Sequence, residues 1–134
     1  MEIKRFEGTG RMSKVVEHNN TLYLSGLTND EGDMKEQTAA VLAKAEAILN
    51  QYGSDKNHIL SATIYVKDMA LFADMNSVWD AWVENGNEPA RACVEANMAR
   101  ENLLVEISIV AAKKYYLKLV LNIKKAHIIK WLYD

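Results

Sequence analysis

The segment PARACVEA, residues 89–96, places three chemically active side chains at alternate positions. If the segment is a strand, Arg91, Cys93 and Glu95 share one face and the small apolar residues share the other. A guanidinium so placed can present paired N–H donors to a carboxylate, which a lysine ammonium cannot do. A second interpretation stays open, in which Arg91 is a surface residue or an ion-pair partner of Glu95 or Glu106.

Glu106 and Cys93 extend this chemistry. Because Glu106 is flanked by Val105 and Ile107, its carboxylate is either an ion-pair partner or a group that holds water or a proton. Cys93 has no histidine nearby in the sequence, and a buried structural cysteine fits it better than a nucleophile. The three histidines lie far apart, with no zinc-binding spacing and no phosphate-binding glycine motif. The sequence therefore predicts no metal site.

The elements that must position these side chains follow the order β-β-α-β-α-β-β, with an extra strand near residues 2–7. Asn19-Asn20 predicts the turn of a hairpin. Asp33 and Glu36 form a capping box for a first helix, which ends at Gly53. Asp68 is expected to cap a second helix that ends at Gly86. The strands are predicted over residues 14–18, 21–26, 59–67, 89–96 and 103–112.

This order indicates an α+β fold, an α/β sandwich with both helices on one face of the sheet. In the 59–67 strand, Leu60, Ala62, Ile64 and Val66 are expected to face the helices. The opposite face is too mixed for a core, and such a face usually meets another subunit or a ligand. We expect this face to carry Tyr23, Ser25, Ser61, Thr63, Tyr65, Arg91, Cys93, Glu106 and Ser108.

Length and composition indicate a single ordinary domain with an appendage. The lone cysteine fits a reducing compartment. The N-terminus has no apolar run typical of a secretory signal, and no stretch approaches the ~20 apolar residues that span a bilayer. We therefore expect a cytoplasmic protein without a membrane partner. Residues 113–134 carry six lysines and one aspartate, so the remaining chain has a net charge of −7. An acidic body disfavours nucleic acid as the main partner.

Residues 113–134 differ in composition from residues 1–112 and lack Gly, Ser, Thr and Glu. Leu117, Leu119, Leu121 and Ile123 alternate as in a strand, whereas residues 128–132 could form one side of a helical turn. The segment is either a packed accessory element or a disordered or foreign tail. We expect it to be dispensable, unless the alternating leucines are buried. The sequence thus divides into a domain over 1–112 and a C-terminal extension over 113–134.

Several segments together resemble a known family. Residues 72–82 (FADMNSVWDAW), the segment PARACVEA and residues 104–107 (LVEI) resemble the RidA/YjgF family, also called Rid, and the WDAW stretch is typical of its YoaB-like subgroup. Residues 10–16 (GRMSKVV), 24–26 (LSG) and 51–69 (QYGSDKNHILSATIYVKDM) are similar to the family's N-terminal and central patterns. The resemblance covers residues 1–112 and stops there.

The resemblance implies a chorismate-mutase-like fold with a mixed sheet of about six strands, assembled as a homotrimer with clefts between subunits. It also implies cofactor-free hydrolysis of reactive enamine and imine acids, such as 2-aminoacrylate, to 2-keto acids and ammonia. The family's carboxylate-binding arginine falls on Arg91, and its water-positioning glutamate falls on Glu106. Its other substrate-binding positions fall on Cys93, Asn76, Ser25 and Gly26.

One substrate-binding position departs from the family pattern. The usual Gly-Pro-Tyr-Ser reads Gly-Arg-Met-Ser at residues 10–13, and Met12 cannot donate a hydrogen bond or a proton. The substrate therefore differs from that of RidA, or the site binds without turnover. The leading hypothesis is an imine deaminase, and the second is a non-catalytic binder of small carboxylate metabolites. A ribonuclease or translation inhibitor is disfavoured by the acidic body and by the lack of a histidine acid–base pair.

Overall fold

The computed structural model describes residues 2–133, with side chains for all of them except 115–120. Its centre is one six-stranded mixed sheet in the order β1-β2-β3-β6-β4-β5, in which only β4 and β5 pair in parallel. The predicted α+β fold is therefore confirmed. The elements are β1 (Lys4–Gly8), β2 (Ser13–His18), β3 (Thr21–Leu24), α1 (Met34–Gln51), β4 (Ile59–Val66), α2 (Phe72–Trp82), β5 (Ala90–Glu95), β6 (Val105–Ala112) and α3 (Lys114–Tyr133).

The predicted turns and first helix form as expected. Asn19 and Asn20 have φ angles of 51° and 61°, as a two-residue hairpin turn requires between β2 and β3. Asp33 and Glu36 form the complete capping box at the start of α1, since each side chain accepts a hydrogen bond from the other's backbone N–H. Gly53 follows the helix with a φ of 83°, where a side chain would be strained.

The second helix begins and ends differently from the prediction. Asp68 caps a short 3-10 turn at Met69–Leu71, and α2 starts only at Phe72. The helix ends at Trp82, so the expected stop at Gly86 is wrong, and Gly86 lies in the following turn. The late start of α2 has a local cause. The Asp68 carboxylate accepts a hydrogen bond from the N–H of Ala70, which fits the tighter 3-10 geometry.

The core lies between one face of the sheet and the helices. Helix α1 packs against β6 and α2, and the inward residues Ala62, Ile64 and Val66 of β4 are buried as predicted. Leu60 is an exception: a register irregularity between Ile59 and Ser61 turns Ile59 inward and leaves Leu60 half exposed.

The opposite face, here called the open face, has no helix of the described residues packed on it. The ladders place on this face the predicted residues Tyr23, Ser61, Thr63, Tyr65, Glu106 and Ser108. Its members are half-buried or exposed, and Tyr23 is 46% exposed.

The C-terminal extension forms a helix, α3. Lys113 pairs with Glu17 at 2.9 Å, and Lys114 lies 3.5 Å from Asp55 and donates its backbone N–H to Gly53. From residue 121 to residue 133 every side chain is exposed. Within the described part of the chain, no helix has the length and apolar character needed to span a bilayer. Leu117 and Leu119 lie outside the described side chains, whereas Leu121 and Ile123 are 58% and 46% exposed.

Truncation after Lys114 tests whether the extension supports the domain. This cut keeps the contacts of Lys113 and Lys114 and removes side chains that are exposed from residue 121 onward. Exposed side chains contribute little to the free energy of unfolding. We therefore expect the melting temperature to stay within about 2 °C of that of the full chain. Thermal denaturation followed by circular dichroism measures this. Aggregation, or a loss of several degrees, would show that α3 is an integral element.

Candidate functional site

Arg91 lies on the face of β5 that the helices cover, which corrects the sequence-based expectation. In the parallel ladder Arg91 pairs with Ala62 and Cys93 pairs with Ile64, both of which point into the core. The small residues Ala90, Ala92 and Val94 are therefore on the open face. β5 is an edge strand, and α2 covers its inner face only in part, so an arginine can lie there while its charge stays exposed.

Helix α2 holds the Arg91 guanidinium in place. The guanidinium carbon lies 5.4 Å from the ring centroid of Trp79 and 6.0 Å from that of Phe72. Nη1 donates a 2.8 Å hydrogen bond to Oδ1 of Asn76. Phe72, Asn76 and Trp79 recur at i, i+4 and i+7, so they share one stripe of α2. The two aromatic contacts and the hydrogen bond to Asn76 restrain the guanidinium, whose planar set of donors suits a planar carboxylate.

Cys93 is partly buried against the core and lies two residues after Arg91, on the same face of β5. Burial raises the pKa of the Cys93 thiol above its ordinary value, and the positive charge of Arg91 offsets this only in part. Near neutral pH the sulfur therefore stays a thiol, which is a poor nucleophile. This supports a structural role for the side chain.

Glu106 lies on the open face, opposite Tyr65 in the β4–β6 ladder. Together with Tyr65 and the loop residues 96–99 it lines a cavity of about 470 Å³. Gly26 lies directly against its carboxylate, because a Cβ atom on Gly26 would come within 2.7 Å of Oε2. A side chain at position 26 would therefore fit only if Glu106 moved, and the close approach positions Glu106 beside the end of β3.

Ser25, Gly26 and Met12 meet at a second cavity of about 710 Å³, here called the hairpin cavity, between the β1–β2 hairpin and α1. Ser25 Oγ donates a 2.6 Å hydrogen bond to the backbone carbonyl of Ser13, which ties β3 to the start of β2. Met12 is 55% exposed, and its carbonyl accepts from the backbone N–H of Thr9. Its thioether can line the cavity but supplies no donor.

The predicted site residues thus form two separate groups in one chain. Arg91, Asn76 and Cys93 are at the β5 edge on the helix side, whereas Met12, Ser25, Gly26 and Glu106 are near the end of β3. Arg91 pairs with Ala62 and Glu106 pairs with Tyr65, three residues further along β4. An odd offset places the two side chains on opposite faces, about 10 Å apart along the strand and two strand spacings apart across it.

The positioning role of Phe72 and Trp79 was not predicted from the sequence. Their spacing around Asn76 was the available signal, but only the register of β5 shows that Arg91 lies above them. Sequence reasoning also missed Lys14, Lys44 and Glu7, which line the hairpin cavity. Among the described residues, no group of three His, Cys, Asp or Glu side chains could hold a metal ion.

Sequence comparison places this domain among known relatives. The family model described as Endoribonuclease L-PSP matches residues 2–113. The RutC family protein YoaB of Escherichia coli is 48% identical over 113 residues, which cover 84% of this chain and 99% of the relative. A RutC family protein of Haemophilus influenzae is 40% identical over 114 residues, with 83% and 98% covered.

Solved structures agree with this placement. A member of the YjgF protein family from Neisseria meningitidis superposes with a TM-score of 0.83 at 50% identity, covering 85% of this chain and 97% of its own. A protein from Salmonella typhimurium, described as a putative translation initiation inhibitor, gives a TM-score of 0.76 at 47% identity, with 82% and 96% covered. The chain therefore belongs to the endoribonuclease L-PSP family, which its structural relatives identify as YjgF or Rid.

Proposed function

We propose that this protein hydrolyses reactive enamine and imine acids of the 2-aminoacrylate type to 2-keto acids and ammonia. The observation that carries the proposal is the Arg91 guanidinium, which lies over the ring of Trp79 and donates a hydrogen bond to Asn76. A rigid planar donor at an exposed edge is suited to a small carboxylate. The chain belongs to the same family as RidA, and the resemblance to RidA implies this substrate class.

The reaction needs a bound substrate carboxylate, a positioned water molecule and a group that takes up and returns protons. Arg91 binds the substrate carboxylate, which orients the adjacent imine carbon. Glu106 accepts a proton from a water as its oxygen bonds to that carbon. The resulting carbinolamine then loses ammonia as the C–N bond breaks, leaving the keto acid. Glu106 first passes the proton it took to the imine nitrogen, which completes the carbinolamine, and then moves the proton of the new hydroxyl group to the same nitrogen as ammonia leaves and the C=O bond forms. The carboxylate is thereby regenerated and no cofactor is needed.

This mechanism requires two copies of the chain for each site. Arg91 and Glu106 lie on opposite faces of the same sheet, so one subunit does not bring both to one substrate. We propose a homotrimer in which the β5 edge of one subunit meets the β3 end of its neighbour. The uncovered open face, with Tyr23 and Val94 each nearly half exposed, supports such an association.

A non-catalytic carboxylate binder is the second candidate, and Met12 favours it. A thioether at this position removes a proton donor that the family's tyrosine would supply. The deciding experiment measures keto-acid release from an enamine generated by a pyridoxal-phosphate-dependent dehydratase, with and without this protein. Faster release supports the deaminase. An unchanged rate together with calorimetric binding of the keto acid would support the binder.

The substitution Arg91→Lys tests the guanidinium. Lysine keeps the charge but loses the paired donors and the contact of the guanidinium with the Trp79 ring. Loss of a charge-assisted hydrogen bond costs about 1.5–3 kcal/mol, so we expect keto-acid formation to fall about ten- to hundredfold. Arg100→Lys, in an exposed loop, is the matched control. Full activity in the Arg91 variant would show that this residue has only a structural role.

The substitution Gly26→Ala tests the placement of Glu106. The new methyl group would overlap the carboxylate, which is the movable end of its side chain, so Glu106 shifts while the backbone stays. We expect activity to fall roughly 100-fold, as loss of a general base does, with a melting temperature close to that of the wild type. Gly8→Ala, which meets open space, is the control. Wild-type turnover in the Gly26 variant would mean that the Glu106 position is not critical.

Mixed assemblies test the shared site directly. Assemblies made only of Arg91→Lys subunits, or only of Glu106→Gln subunits, are each expected to lose most of the activity, about tenfold or more. If the two residues act in one cleft from different subunits, refolding the variants together at equal amounts restores about a quarter of wild-type activity, as random mixing in a ring predicts. Light scattering should give three times the 15.1 kDa of one chain. A monomer, or mixtures without restored activity, would contradict the shared cleft.

A further inference from the structure

The hairpin cavity contains charged groups that the proposed reaction does not use. It measures about 710 Å³, far more than a three-carbon imino acid fills. Besides Met12, Ser25 and Gly26, the residues that line it include Lys14, Lys44 and Glu7. These three charges sum to +1, although the body as a whole is acidic.

Glu7 is held in an unusual backbone conformation at this cavity. Its φ of 54° lies in the left-handed region, which a glutamate adopts only when the surrounding structure imposes it. The hydroxyl of Tyr52 donates a 2.7 Å hydrogen bond to Glu7 Oε2. That bond raises the pKa of Tyr52, so the phenol keeps its proton and continues to donate at neutral pH. One oxygen of Glu7 is therefore committed to Tyr52.

The two lysines differ in how they are bound. Lys44 Nζ donates to the carbonyl of Thr28 at 2.7 Å, which fixes its ammonium at the cavity wall. Lys14 Nζ lies 3.8 Å from Glu7 Oε1, too far for a direct hydrogen bond. The ammonium of Lys14 thus keeps donors for another anion, and Lys44 adds a second positive charge to the same wall.

We propose that the hairpin cavity binds a second acidic group of the substrate, so that the preferred substrates are imino acids derived from dicarboxylic amino acids. This inference rests on the proposed function. Arg91 of the neighbouring subunit holds the carboxylate next to the imine, and Lys14 and Lys44 hold the distal carboxylate. Met12 contributes apolar contact to the methylene groups between them, a role that suits a thioether. Water adds and ammonia leaves as for the shorter substrates.

Calorimetry of the full chain with two keto acids of equal length tests this inference. The probes are 2-oxoglutarate, which has a distal carboxylate, and 2-oxopentanoate, which has a methyl group there. We expect at least tenfold tighter binding of 2-oxoglutarate. Lys14→Met should weaken the binding of 2-oxoglutarate about tenfold more than that of 2-oxopentanoate. Lys35→Met, on the exposed surface of α1, should leave the ratio of the two affinities unchanged.

Turnover supplies a second measurement. An amino-acid oxidase generates the matching imino acids from glutamate and norvaline, and keto-acid formation from each is followed with and without the protein. Preference for the glutamate-derived imine supports the inference. Equal binding and turnover of the two compounds would overturn it while leaving the deaminase proposal intact. If neither imine nor 2-aminoacrylate is hydrolysed and neither keto acid binds, both the inference and the proposed function are wrong.

Discussion

The parallel register between β4 and the edge strand β5 determines how the candidate site is built. It places Arg91 opposite Ala62, on the face covered by the helices, and so brings the guanidinium over the ring of Trp79. On the open face the same arginine would lose the ring and the Asn76 amide that fix its plane. A shift of one residue would exchange the faces and leave an alanine above Trp79. The donor geometry for a carboxylate therefore depends on this pairing.

The same register separates Arg91 from Glu106 and thereby makes association of copies a chemical requirement of the proposed reaction. An isolated chain has an uncovered sheet face and two incomplete groups of site residues. Association of identical chains would solve both problems at once, because it buries the face and brings the two groups together. Selection for the reaction and selection for assembly would then act on the same surface.

The sequence predicts much of this fold because local signals agree with the tertiary structure. The capping box of α1, the Asn19-Asn20 turn and the inward residues of β4 follow directly from residue type and period. The sequence does not reveal which face of β5 Arg91 occupies. Alternation shows which residues share a side of a strand but not which side meets the helices. The alanines of β5 resemble a core set, yet they line the open face. Small side chains there leave room for a neighbour, which no single-chain pattern encodes.

Local and net charge act in opposite directions on any anionic ligand of this protein. Residues 1–112 carry a net charge of −7, so at long range they repel a dicarboxylate, whereas the lysines at the hairpin cavity attract it at short range. At physiological ionic strength, salt screens the long-range repulsion at distances beyond about 8–10 Å, whereas it weakens contacts at short distance much less. The basic helix α3, with a net charge of +5 over residues 113–134, reduces the repulsion further. If the proposed dicarboxylate site exists, added salt should therefore speed the approach of such a ligand while weakening its bound state only slightly, because capture would depend on Lys14 and Lys44 rather than on the overall field.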